Sequence, residues 1–120
     1  MRKKTVLIVE DDGTTYEFLR NILESNFHCE ITNAENGWQA LKLLENKTFD
    51  LIISDIAHAG PSGIQLCKEI KRIPKTTSIP CLIVSGIAND KIDKIRSLGV
   101  EYLQKPFKTQ DFIEIAKKYF

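Results

Sequence analysis

At 120 residues the chain has the length of one domain, enough to bury a core without metal or disulfide staples. Its 17 Lys+Arg against 16 Asp+Glu leave a formal net charge of +1, too little overall field to hold nucleic acid or an anionic membrane surface. An apolar share of 42% with 28% charged residues excludes a disordered chain. The longest aliphatic run, Val6-Leu7-Ile8-Val9, is far short of the ~20 residues a bilayer span needs.

Met1-Arg2-Lys3-Lys4 carries the charge of a signal-peptide start, but the apolar run behind it ends at Glu10-Asp11-Asp12 and no small-residue cleavage site follows. Cys29, Cys67 and Cys81 are odd in number and widely spaced, without a CxxC pair. They read as free, buried thiols in a reducing cytoplasm.

In chain order, Thr5–Val9 predicts a strand of β-branched and aliphatic residues. Thr14–Ser25 predicts a helix, with Phe18, Leu19, Ile22 and Leu23 at helical spacing and a capping box at Thr14-x-x-Glu17. Cys29–Thr32 is a second strand. Asn36–Glu45 is a helix capped by Asn36, with Ala40, Leu41 and Leu44 on one face. Leu51–Ser54 is a third strand, apolar on both faces as a central parallel strand requires.

The second half repeats the rhythm. Ser62–Arg72 carries Ile64, Leu66, Cys67 and Ile70 and is stopped by Pro74. Cys81–Val84 follows Pro80 as a strand; Asp90–Leu98 is a helix with Ile92 and Ile95 inward and Gly99 just past its end. Val100–Gln104 is the fifth strand, and Thr109–Tyr119 a last helix packing through Phe112, Ile113 and Ala116. Five strand–helix pairs predict an α/β fold: a single doubly wound, five-stranded parallel sheet with five helices, flavodoxin-like.

In such a sheet, ligands bind beyond the carboxyl ends of the strands. The first strand runs into Glu10-Asp11-Asp12, the third into Asp55, the fourth ends at Ser85-Gly86 and the fifth at Lys105-Pro106. Two carboxylates ~4 Å apart repel by roughly 4 kcal/mol at an effective dielectric of ~20. A hard divalent cation such as Mg²⁺, with oxygen ligands and some of its own waters, relieves this crowding. A carboxylate, a metal and the Lys105 ammonium are together the parts needed to accept a phosphoryl group.

These residues resemble the response-regulator receiver domain of bacterial two-component signalling. The similarity runs from Val6-Leu7-Ile8-Val9-Glu10-Asp11-Asp12 through Asp50-Leu51-Ile52-Ile53-Ser54-Asp55 to Tyr102-Leu103-Gln104-Lys105-Pro106-Phe107, so residues 1–120 are expected to form one receiver domain. The resemblance implies that Asp55 is the phosphoacceptor, taking the group from a phosphohistidine on a sensor histidine kinase or phosphotransfer protein. It implies Mg²⁺ held by Glu10, Asp11, Asp55 and the Ala57 backbone carbonyl, with Asp12 outside the set. Ser85 is then the hydroxyl that turns toward the phosphoryl group, Lys105 its cationic partner, and Tyr102 an aromatic switch. Gly86 matches a position kept small for the donor's approach.

Two departures from the family pattern stand out. Proline is expected four residues after the acceptor, where this chain has Ala59, and arrives at Pro61, although Gly63 keeps its spacing of eight. Because proline fixes φ, this shift predicts an altered loop path. The stretch Gly99-Val100-Glu101-Tyr102 is also one residue short of the usual glycine-to-aromatic spacing.

The expected protein is a cytoplasmic signalling switch rather than an enzyme. It acts on a downstream protein target, with no nucleic acid or membrane contacted by this domain. The alternative is a phosphorylation-independent pseudo-receiver that keeps the fold as an interaction module. A metal-dependent aspartyl phosphatase lacks room here for a substrate cap, and a flavin's phosphate would be repelled by the first loop's three acids. His58 is expected to be a solvated loop histidine, and Trp38 a partly exposed packing residue.

Overall fold

Runs that are apolar at every position, rather than at alternate ones, need cover on both faces, and the chain supplies it with helices after each strand. The computed structural model describes residues 2–57, 59–86 and 92–120. The order is β1 (Lys4–Val9), α1 (Gly13–Asn26), β2 (Cys29–Ala34), α2 (Gly37–Asn46), β3 (Leu51–Ser54), α3 (Gly63–Arg72), β4 (Cys81–Ser85), α4 (Ile92–Ser97), β5 (Glu101–Gln104) and α5 (Thr109–Ala116). A short 3₁₀ turn, Lys117–Tyr119, follows α5. His58 and Asp90, the predicted first residue of the fourth helix, lie outside the described residues.

All strand pairings are parallel, in the order β2-β1-β3-β4-β5. The period-2 alternation of each strand divides the core. Leu7, Val9, Ile52, Cys81 and Ile83 pack with Ala40, Leu44, Leu66, Cys67, Ile70 and Ile95 on one face. Val6, Ile8, Leu51, Ile53, Leu82 and Val84 pack with Leu19, Leu23, Phe112 and Ala116 on the other. The expected doubly wound, flavodoxin-like α/β sheet is what the chain forms, and no helix among the described residues is long and apolar enough to cross a membrane. All three cysteines are free thiols and buried.

Local details depart from the sequence reading. The capping box at Thr14 and Glu17 does not form; α1 starts earlier, capped by Asp12, whose carboxylate accepts from the Thr15 N–H at 3.1 Å and from the Thr15 hydroxyl. The Asp12 carboxylate reaches the third helical N–H, one of the orphan donors of the first turn, so the helix starts two residues before the Thr14 cap would have placed it. Phe18 is 46% exposed while Leu19, Ile22 and Leu23 are buried; its ring leans on Phe107 across the surface, centroids 6.0 Å apart. β2 runs two residues further than expected, to Ala34, because Ile8↔Asn33 and Val9↔Ala34 continue the ladder. Asn36 and Ser62 cap α2 and α3, Ser62 within a complete capping box with Gln65. Gly99, at φ +71°, ends α4 with its N–H on the Arg96 carbonyl at 3.0 Å.

The amino-terminal edge of the sheet is tied by Asp50. Its carboxylate accepts from the Thr5 N–H at 2.8 Å, the Thr5 hydroxyl at 3.2 Å and the Arg2 guanidinium at 3.2 Å. Burial alone would raise this carboxyl, but the Thr5 amide, Arg2 and the Thr5 hydroxyl together hold it below the ordinary aspartate value. A lowered native pKa contributes stability that is complete above about pH 4 and lost as the pH falls through the lowered value. Asp50→Asn is therefore expected to cost about 1 kcal/mol in urea unfolding at pH 7, with the difference shrinking below about pH 4. A difference that stays constant with pH would show that shape rather than charge is responsible.

Candidate functional site

Strand order reverses between β2-β1 and β1-β3, so the crevice beyond the carboxyl ends of β1 and β3 is the topological switch point. Glu10 follows β1 directly and Asp55 follows β3 directly. The ladder carries on just past both strands: the Glu10 N–H donates to the Ala34 carbonyl at 2.9 Å and the Asp55 N–H to the Val9 carbonyl at 3.4 Å. Both side chains therefore start from fixed backbone.

Lys105, the residue after β5, joins them. Its Nζ lies 3.0 Å from Asp55 Oδ2 and 3.7 Å from Glu10 Oε1. Its own N–H donates to the Ser85 carbonyl at 3.0 Å, which extends the β4–β5 pairing by one residue and fixes the stem. The other Asp55 oxygen, Oδ1, accepts from the Ile56 N–H at 2.6 Å and the Ala57 N–H at 3.4 Å. Asp55 thus presents a carboxylate oriented from both sides, by one ammonium at Oδ2 and two amides at Oδ1.

Glu10 is 5% exposed, and burial pushes its carboxyl above the ordinary glutamate range. The Asp12 N–H, 3.2 Å from Oε2, and Lys105 pull it back, while Asp55 and the adjoining Asp11 carboxyl push it up further. By count, the carboxyls of Glu10, Asp11 and Asp55 outnumber the Lys105 ammonium beside them. Their donors are all oxygen, which is the chemistry of a hard divalent cation. The members predicted for a metal are not equally gathered. Glu10 and Asp55 meet around Lys105, whereas Asp11 and Ala57 are exposed at the rim. Among the described residues, no three acidic, histidine or cysteine side chains are closed to ion-holding distance. The Asp12 carboxylate is engaged in the α1 cap.

Ser85 ends β4, is fully buried and faces Gln104 in register. Its carbonyl also accepts from the Tyr102 hydroxyl at 3.0 Å, so the half-buried Tyr102 ring is anchored inward against β4. Burial first, and then Asp55, raise the Tyr102 phenol above its ordinary value. A methyl group at Gly86 would meet the Lys105 side chain and carbonyl at 3.8 Å, ordinary contact, so the position admits alanine as well as glycine.

One neighbour of the site was not found from the sequence, and another, Trp38, was read as a packing residue without its partner. Asn33 donates from Nδ2 toward the Ile8, Glu10 and Ala34 carbonyls at 3.1–3.3 Å, stitching the end of β2 beneath the acidic turn. Only the β1–β2 register reveals this, and no local motif encodes that register. Trp38, 64% exposed, lies over Gly60 in the loop after Asp55, a contact between residues distant in sequence.

Comparison with known proteins agrees with this architecture. The family model for the response regulator receiver domain matches residues 6–117. Histidine kinase P4 of Formosa agariphila is 37% identical over 112 residues, covering 92% of this chain but 8% of that much longer protein. The polar-differentiation response regulator DivK of Brucella anthropi is 33% identical over 118 residues, 97% of this chain and 95% of DivK. Among solved structures, the signal receiver domain of a signal transduction histidine kinase from Syntrophus aciditrophicus is similar at 32% identity and a TM-score of 0.86, over 97% of this chain and 89% of that one. With the acidic switch point, the bridging lysine and this match over nearly its full length, the chain belongs to the response regulator receiver domain family of two-component signalling.

Proposed function

We propose that residues 1–120 form a phosphoacceptor switch in which Asp55 takes a phosphoryl group from a phosphohistidine on a sensor histidine kinase or phosphotransfer protein. The observation that carries this reading is the Lys105 ammonium 3.0 Å from Asp55 and 3.7 Å from Glu10 at the switch point. In the transfer an Asp55 carboxylate oxygen forms the new P–O bond as the donor's P–N bond breaks, and the imidazole leaves with the bonding electron pair. Lys105 lies where charge on the transferring oxygens needs a fixed cation. The Ile56 and Ala57 amides hold the carboxylate for attack.

Glu10, Asp11, Asp55 and the Ala57 carbonyl would hold Mg²⁺, which supplies a second positive charge against the phosphoryl oxygens. Asp11 adjoins Glu10, and Ala57 lies two residues past Asp55, so the four come from the two loops that follow β1 and β3. The carboxyls of Glu10, Asp11 and Asp55, gathered on two adjoining loops, support a cation there.

Phosphorylation then replaces a single carboxylate oxygen with several strong acceptors. Lys105 tightens onto them, the Ser85 hydroxyl turns toward them, and the Tyr102 anchor on the Ser85 carbonyl carries the change to β5 and α4. Moving a two-state equilibrium from 1:99 to 99:1 takes about 5.5 kcal/mol, within reach of a few charge-assisted hydrogen bonds at roughly 1.5–3 kcal/mol each. The output is a changed protein contact, and the setting that fits a kinase-fed switch is the cytoplasm.

Incubation with labelled acetyl phosphate and Mg²⁺ tests this. One alkali-labile acyl phosphate per chain is expected, suppressed by EDTA. A folded chain that takes no label from acetyl phosphate or from a phosphorylated kinase would be a pseudo-receiver instead.

A further inference from the structure

The loop between Asp55 and α3 is held from outside by the start of α2. The Gly37 N–H donates to the Ala59 carbonyl at 3.1 Å. Gly37 sits so close that a Cβ there would overlap the Pro61 carbonyl oxygen and stand 3.0 Å from its Cδ. One residue on, the Trp38 ring lies across Gly60. A Cβ on Gly60 would come within 2.7 Å of Trp38 Cδ2, and its φ of +79° is the left-handed conformation glycine favours. The inner side of the loop is fixed too. The Gly63 N–H donates to the Ile56 carbonyl at 3.1 Å, and Gly63 abuts the Asp55 carbonyl closely enough to exclude any side chain.

Asp55, Ala57 and their amides thus belong to a loop gripped at two places. One grip is the α3 amino terminus, already demanded by a helix start. The other is Gly37 with Trp38, which lies outside both core clusters, leaves most of its surface in solvent and sets its ring against the glycine of this loop. This arrangement also accommodates the displaced proline. Pro61 packs against the helix start, while the Ala59 carbonyl, at the position where proline was expected, accepts the Gly37 N–H.

We propose that the α2 amino terminus is a clamp on the acceptor loop, with Trp38 and Gly37 as positioning residues that set the Ala57 carbonyl for the metal. The inference rests on the phosphoacceptor reading above. Outer-shell partners that orient a ligand typically change metal affinity by about 10–100-fold when removed. An exposed ring away from the core contributes little to global stability.

The test is Mg²⁺ titration by calorimetry on the full chain and on Trp38→Ala and Trp38→Phe, alongside thermal unfolding of each. The expected result is about tenfold weaker Mg²⁺ binding by Trp38→Ala with an unfolding midpoint close to that of the parent, and restoration by Trp38→Phe, which keeps a ring over Gly60. Because the chain has a single tryptophan, parent fluorescence should shift on saturation with Mg²⁺ and beryllofluoride. Parent and Trp38→Ala affinities that agree within twofold would overturn the clamp while leaving the phosphoacceptor reading intact. Weaker binding accompanied by a matching loss of stability, unrestored by phenylalanine, would also overturn it. A parent chain that binds no Mg²⁺ would overturn both.

Discussion

A chain carrying Asp55→Asn is expected to take up no label from acetyl phosphate under conditions that fully label the parent. The amide is nearly isosteric, so its oxygen still accepts the Ile56 N–H that Asp55 Oδ1 accepts at 2.6 Å. What disappears is the negative oxygen facing Lys105 at 3.0 Å, and with it the nucleophile. The fold should survive, since Asp55 lies at the rim outside both core clusters. Losing one carboxylate also removes the Asp55 repulsion that adds to burial in pushing the Glu10 carboxyl up. Label entering Asp55→Asn at the parent rate would place the acceptor elsewhere.

The second large effect is expected from Lys105→Ala, and it separates binding from chemistry. Among the described residues, Lys105 is the cation within 4 Å of both Glu10 and Asp55. Removing it leaves those carboxylates to a metal without a fixed competitor, so at pH 8 Mg²⁺ should bind several-fold more tightly. Removing it also takes away a preorganised positive charge where the transferring oxygens develop theirs, an effect worth about 10²–10³ in rate at comparable sites. Tighter Mg²⁺ binding with labelling slowed by that factor is therefore the expected pair of results. A labelling rate within twofold of the parent would remove Lys105 from the chemistry.

The fold was legible because burial on both faces leaves so little choice. Leu51-Ile52-Ile53 and Cys81-Leu82-Ile83-Val84 have no polar face to show solvent, so they fall in the middle of a parallel sheet and their neighbours become helices. β3 occupies the predicted residues for that reason. The end of edge strand β2 was harder to read, since Asn33 and Ala34 lack that signature and pair because β1 runs alongside them. Phe18 shows the opposite failure: periodicity placed it with the core, whereas the α1 surface turns it toward Phe107. At α5, helical spacing continued to Tyr119, but the final residues tighten into a 3₁₀ turn after Ala116.

The candidate site was legible in its parts and not in its contacts. That Glu10, Asp55, Ser85 and Lys105 end separate strands follows from position alone. That one ammonium reaches two of the acids, and that Asp12 is spent on a helix cap, depends on side-chain geometry that spacing does not encode. The displaced proline was visible as a departure, but its partner was not. Gly37 and Pro61 meet through the packing of α2 against the acceptor loop, over a separation no local motif spans.

Calorimetric titration of the parent chain with Mg²⁺, alone and then with beryllofluoride, tests the central claim most directly. The account predicts one Mg²⁺ per chain, beryllofluoride binding only when Mg²⁺ is present, and loss of the beryllofluoride signal in Asp55→Asn. A folded chain that gives no heat with Mg²⁺ and the same silence with the phosphoryl mimic would contradict it.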